Sequence, residues 1–186
     1  MSEVKATTDR FVAAMNAHDE KALQALHADD IKFDAPGGFK ANNAKDATAF
    51  AMTWLKAFPD NKMKVRSEIL SGPWVVQEIV MEGTHTGPLE SPTGTIPPTH
   101  KKVVGNGVQL LRVENGKIAE ARIYFDRLDQ MQQLGLIPAP ATVKPPTFRE
   151  TRPNVAPGLF YPGQEVATRI SEGRGAVRQV PACATR

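Results

Sequence analysis

Asp126 ends a stretch in which Glu120, Arg122, Tyr124 and Asp126 share one side of an alternating segment, while Ala119, Ala121, Ile123 and Phe125 share the other. A carboxylate inside a mostly apolar cavity is suited to general acid–base work, with Tyr124 to position an oxygen and Arg122 to hold the carboxylate ionised and oriented. The alternation leaves the inner side open, because the small and apolar set would make an equally good core or subunit face. Asp126 can also cap a helix over 127–134, alone or in addition to any chemistry, with Arg127 as a surface partner.

His85 is the second candidate. In the segment 77–86, Gln77, Ile79, Met81, Gly83 and His85 fall on one side, and this mostly apolar set is expected to face helices. That puts an imidazole near the top of a cavity, where it can exchange a proton with a bound polar group near neutral pH. The alternative is a histidine that only hydrogen-bonds a neighbouring strand. Gln109 is the nearest polar group on the segment 108–113, and Trp54 and Met81 supply apolar surface for a substrate. His18 and His27, on or between surface helices, are expected to be solvated, His100 to be exposed at a loop end, and Asp34 to cap a turn before Pro36. No histidine pair at i, i+4, cysteine cluster or carboxylate-rich loop suggests a metal, and no phosphate loop or nucleophile elbow is present. No metal is expected.

The elements that must position these groups change character along the chain. The first 60 residues read as helical: one helix capped at Thr7 or Thr8 and carrying Phe11, Ala14 and Met15, a short one over 20–28, and a third capped by Asp46 with Phe50, Trp54, Leu55 and Phe58 on one stripe. A short strand over 31–35 stands between them. From Lys62 the period becomes two, with strands over 63–69, 74–86, 101–113 and 118–126, the last two joined by the hairpin signal Asn115-Gly116. Helices followed by a curved, mixed or antiparallel sheet make an α+β plan, a cone with a core at its bottom and a ligand-holding mouth. The proline-rich insert 88–99 reads as a loop overhanging that mouth.

The whole chain narrows the function classes. Its 186 residues hold one ordinary domain, over 1–140, and a proline-rich basic extension, over 141–186. Residues 1–140 carry 16 Lys+Arg against 17 Asp+Glu, and the extension carries 7 against 3. The basicity is therefore scattered over a tail, without the clustered cations that nucleic-acid binding requires. The polar start, the lack of a long apolar run and a lone Cys183 point to a cytoplasmic protein without a membrane partner.

Gly83-Thr-His-Thr-Gly87, Pro92-Thr-Gly94, Glu114-Asn-Gly-Lys-Ile118 with Glu120, and Asp126 followed by Gln133-Leu-Gly-Leu136 resemble the SnoaL-like polyketide cyclases, or ester cyclases, over about residues 5–138. These belong to the superfamily of nuclear transport factor 2 and ketosteroid isomerase. The resemblance implies the cone fold, homo-oligomers (dimers or tetramers) built through the sheet, and an inward-facing Asp126 as acid–base group of a cofactor-free intramolecular aldol closure, with His85 as a pocket group. Arg122 and Ala121 depart from the family, which often has an aromatic and a histidine there.

The expected function is a cofactor-independent cyclase, isomerase or lyase acting on a hydrophobic, carbonyl-bearing small molecule. Its rivals are a hydrolase or hydratase, akin to epoxide hydrolases, in which Asp126 and Arg122 activate water, and a non-catalytic binding protein. The extension is expected to pack across a neighbouring subunit or near the cavity mouth, since ordering it otherwise only costs entropy. Deleting 141–186 should then change the oligomer mass by light scattering or lower the melting temperature; no change in either would mark a passive extension.

Overall fold

A computed structural model describes residues 2–91 and 94–138. They fall within the first of two compact units of the chain, Met1–Thr142. The extension, and with it the expectation that it packs across a neighbouring subunit or near the cavity mouth, lies outside the described residues.

Three helices lie within the first 57 residues. α1 (Glu3–Ala17) is capped by Ser2, whose hydroxyl accepts from Lys5 N, and ends on His18 in the left-handed region. Thr7 and Thr8, read above as caps, are instead fully buried on the inner face of α1, where Thr8 Oγ1 donates back to Lys5 O at 3.1 Å. α2 (Glu20–Leu26) is capped by Asp19 and buries Leu23 and Leu26. α3 (Ala44–Ala57) is capped by Asn43 rather than Asp46; Asp46 sits in the first turn and accepts from Asn43 Nδ2 at 2.8 Å, so the two side chains close the helix start reciprocally.

The sheet is mixed, in the order β2-β1-β8-β7-β4-β3. Its strands are β1 (His27–Ala35), β2 (Phe39–Ala41), β3 (Lys62–Ser71), β4 (Trp74–Thr84), β7 (Lys102–Glu114) and β8 (Lys117–Phe125). β1 runs parallel to β8 and all other neighbours are antiparallel. β1 starts at His27, earlier than its alternation suggests, because His27 pairs with Ile118 across the parallel ladder. Register shifts between Val65 and Ser67, and between Arg112 and Val113, bend the sheet over the helices. Asn115 and Gly116 take positive φ at the β7–β8 turn, as Asn-Gly predicts. The insert stays out of the main sheet and pairs with itself as β5 (Leu89–Ser91) and β6 (Gly94–Ile96). α4 (Arg127–Gln133) follows β8 directly.

The concave face and the helices share a core of Phe11, Met15, Leu23, Ile31, Leu55, Val75, Leu111 and Ile118 among others. A second cluster, Ala57, Phe58, Val103 and Leu134, closes one end. The Gly-Thr-His-Thr-Gly motif is explained at that end. Thr86 N and Gly87 N both donate to Ala57 O, which satisfies a carbonyl left open by the end of α3. A Cβ on Gly87 would collide with the Lys56 carbonyl, and one on Gly83 would meet Phe58 and Asp60 at 3.1 Å. Gly87→Ala should therefore push two backbones apart and cost roughly 1–3 kcal/mol, read from the midpoint of urea unfolding; an unshifted midpoint would show that this approach is relaxed.

Candidate functional site

Between α3, the concave face and the β5–β6 hairpin lies a cavity of about 720 Å³, within the size range of small-molecule sites. Its walls are mostly apolar and include Phe33, Phe50, Trp54, Met81, Ile123 and Phe125. Leu89 and Ile96 of the hairpin contribute to its rim, as expected of an overhanging insert.

The aromatic wall is built in layers. Phe33 packs on Phe50 (5.2 Å between centroids) and Phe50 on Phe39 (4.8 Å). Trp54 stacks on Phe58 at 4.0 Å, and its indole N–H donates to the buried Asn61 Oδ1 at 2.8 Å. The indole is thereby held as a fixed platform.

Two polar side chains are buried among these walls. Gln109 is 1% exposed and donates from Nε2 to Gln77 Oε1 at 2.6 Å. His27 is 2% exposed, lines the cavity, lies 6.0 Å from the Phe11 ring and shares a 3.0 Å hydrogen bond between Nδ1 and Thr48 Oγ1. Burial pushes the His27 imidazole down to about 4, while a hydrogen bond to the Ala44 backbone works the other way. His27 is thus a neutral imidazole at neutral pH, not a solvated surface histidine. The sequence missed it because a histidine after Leu23 and Leu26 continues their helical spacing; only the parallel pairing with β8 turns it inward.

Asp126 lies at the rim. It caps α4, with Oδ1 accepting from Leu128 N at 2.8 Å and from Asp129 N at 3.0 Å, and it also lines the cavity. Oδ2 has no hydrogen-bond partner among the described residues. The side chain is exposed rather than desolvated. Arg127 follows it on the rim, packed over Gly37, where a Cβ would collide with its guanidinium.

The sequence-predicted residues divide accordingly. Trp54, Met81, Gln109 and Asp126 line one cavity. Tyr124 and Arg122 do not, and this corrects the expectation that the polar side of the last strand faces inward. Ala121, Ile123 and Phe125 face the cavity and core, leaving Glu120, Arg122 and Tyr124 on the outer face expected to meet a second copy. There Arg122 pairs with Glu120 and lies 5.8 Å from the Trp74 ring centroid, and Tyr124 is 56% exposed. Asp126 escapes the alternation because the strand stops at Phe125 and the cap turn redirects the chain. His85 faces the helices as expected, but it is sealed behind the wall rather than open to the cavity. Its Nδ1 accepts from Thr99 N at 3.1 Å and its ring packs 5.2 Å from Phe58, which in turn backs Trp54. Burial, aided by His100, holds its imidazole below the ordinary histidine value. Asp126, His85 and Tyr124 therefore do not converge.

Among the described residues no group of three histidine, cysteine or carboxylate side chains is placed to hold a metal ion, and no helix is long and apolar enough to cross a membrane.

The family model of the SnoaL-like polyketide cyclases matches residues 5–134. The chain belongs to that family. It is 33% identical over 132 residues to an aklanonic acid methyl ester cyclase of Streptomyces peucetius, covering 68% of this chain and 86% of the relative. Among solved structures, AclR of Streptomyces galilaeus, a candidate hydroxylase, superposes with a TM-score of 0.65 at 27% identity, covering 76% of this chain and 87% of that one. A candidate SnoaL-like polyketide cyclase of Jannaschia superposes with a TM-score of 0.64 at 20% identity, covering 73% and 94%, and supports the fold alone.

The depressed His27 value has a consequence for stability. The unfolded chain takes up the proton near pH 6.5 and the folded chain only near 4, so stability is full above that window and falls as the pH drops through it, by about 3 kcal/mol in total. Urea unfolding of wild type and His27→Gln across the window should show the variant losing that part of the slope; parallel curves would mean that His27 is not held neutral by the fold.

Proposed function

We propose that this protein is a cofactor-independent cyclase that closes a ring within an aromatic polyketide ester, with Asp126 as the acid–base group. The observation that carries this reading is Asp126 at the mouth of a largely apolar 720 Å³ cavity in a SnoaL-family chain. A flat, apolar substrate would lie along Trp54, Phe50 and Met81. Its carbonyl-bearing side chain would then reach the rim.

The chemistry needs one movable proton. Asp126 removes a hydrogen from a carbon next to a carbonyl, the carbanion adds to a second carbonyl of the same molecule, and the resulting alkoxide takes the proton back. A carbon–carbon bond forms and no atom is lost. One oxygen of Asp126 is committed to the α4 backbone, which orients the carboxylate, and the other is available for the proton. Gln109 and the neutral His27 are the buried polar groups that fix the substrate's register. His85 acts through packing, by backing Phe58 and Trp54. The water-activating alternative loses its arginine, since Arg122 belongs to the outer face.

Asp126→Asn separates the two duties of this side chain, because asparagine caps a helix as well as aspartate. The variant should keep the wild-type melting temperature and lose roughly 10²–10⁴-fold in turnover of an aromatic polyketide methyl ester, followed by chromatography of the cyclised product. Undiminished turnover would remove Asp126 from the mechanism.

A further inference from the structure

The cavity's buried amide has a direction imposed on it from outside the cavity. Glu68, Gln77 and Gln109 are successive cross-strand partners on β3, β4 and β7, so their side chains stand in a row on the concave face. Gln77 Nε2 donates to Glu68 Oε2 at 2.6 Å, and Gln109 Nε2 donates to Gln77 Oε1 at 2.6 Å. The outer end of the row is charged: Lys5 of α1 lies 3.6 Å from Glu68 Oε1. Both glutamines are 1% exposed, and buried amides in this setting are held to their partners because a broken bond there goes uncompensated.

An ionised carboxylate only accepts hydrogen bonds. Gln77 must therefore turn its NH₂ toward Glu68 and its oxygen toward Gln109. Gln109 must in turn give its NH₂ to Gln77, which leaves Oε1 as the side chain's uncommitted acceptor, without a hydrogen-bond partner among the described residues. We infer that Glu68 and Gln77 are positioning residues that make Gln109 present a hydrogen-bond acceptor to the ligand, so that the cavity selects a molecule carrying a hydroxyl donor at that depth. This rests on the cavity being the ligand site. It also assigns a chemical sense to Gln109: its oxygen, the end of the amide left free by the row, reads a hydroxyl of the substrate.

The test uses the full-length protein and two probes, β-hydroxyanthraquinone and its O-methyl ether, whose dissociation constants are measured by equilibrium dialysis. Wild type should favour the hydroxyl probe by about tenfold, the worth of one buried hydrogen bond. Glu68→Gln, which permits the row to reverse, and Gln77→Leu, which cuts it, should bring that ratio toward parity with ether binding unchanged. In the ¹⁵N–¹H spectrum, Glu68→Gln should also shift the side-chain NH₂ signals of both Gln77 and Gln109, a readout that general loosening would not confine to them. If both variants, folded by circular dichroism, keep the full ratio while Gln109→Leu loses it, the row has no directing effect and the inference fails while the cavity reading stands. Equal binding of both probes to wild type overturns the acceptor assignment. Binding of neither probe to wild type removes the ligand site and the inference with it.

Discussion

All eleven residues of β4 pair with β7, from Trp74 opposite Arg112 to Thr84 opposite Lys102, and β7 in turn pairs with β8 along most of its length. Side chains on a strand alternate with a period of two, so a slip of one residue would move every inward group outward. This ladder therefore decides at once that Ile79, Met81, Gln109, Ile123 and Phe125 look into the cone and that Glu78, Val108 and Tyr124 look out. The sheet wall of the cavity, Gln109 within it and the outer face all follow from that one register.

Given the register, the helices have two duties. α1 and α2 fill the narrow end with Phe11, Met15 and Leu23, and α3 leaves room at the wide end by presenting Phe50 and Trp54 as walls rather than as plugs. The wall is kept rigid from behind: Phe58, fully buried, is gripped between Trp54 and His85, and the segment carrying His85 is drawn against the end of α3 at Gly83 and Gly87. The Gly83–Gly87 stretch, whose histidine reads in the sequence as a pocket group, packs in this chain behind an aromatic platform.

Polar groups lining the cone are few, and the two buried ones are each anchored by a neighbour. His27 is kept neutral by burial and held by Thr48; Gln109 is held by Gln77 and, through it, by Glu68. Unpaired, either would cost more than the surrounding apolar packing could offset. Asp126 follows a different rule. It sits at the rim, where water solvates its charge and the start of α4 supplies two N–H donors. The arrangement keeps charge at the mouth and neutral, directional groups at depth.

Much of this was legible in the residues. Period-two alternation from Lys62 onward, the Asn115-Gly116 turn, the apolar stripe of Phe50, Trp54 and Phe58, and the prolines of the insert reflect local physics, in which backbone sterics and side-chain spacing act within a few residues. They gave the α+β cone and placed Trp54, Met81 and Gln109 on its inner surface. The facing of the last strand was not local. Two chemically reasonable faces competed, and pairing with β7 chose the apolar one, sending Arg122 and Tyr124 outward. His27 turned inward only because β1 begins earlier, by pairing with a strand some ninety positions away in the chain, far beyond the few residues over which local propensity acts. Whether His85 touches a ligand or supports a wall was likewise set by where Phe58 came to rest. The sequence by itself determined the elements and their periodicities; the tertiary structure decided which polar groups those elements bury together, because burial is a property of distant partners and not of neighbours in the chain.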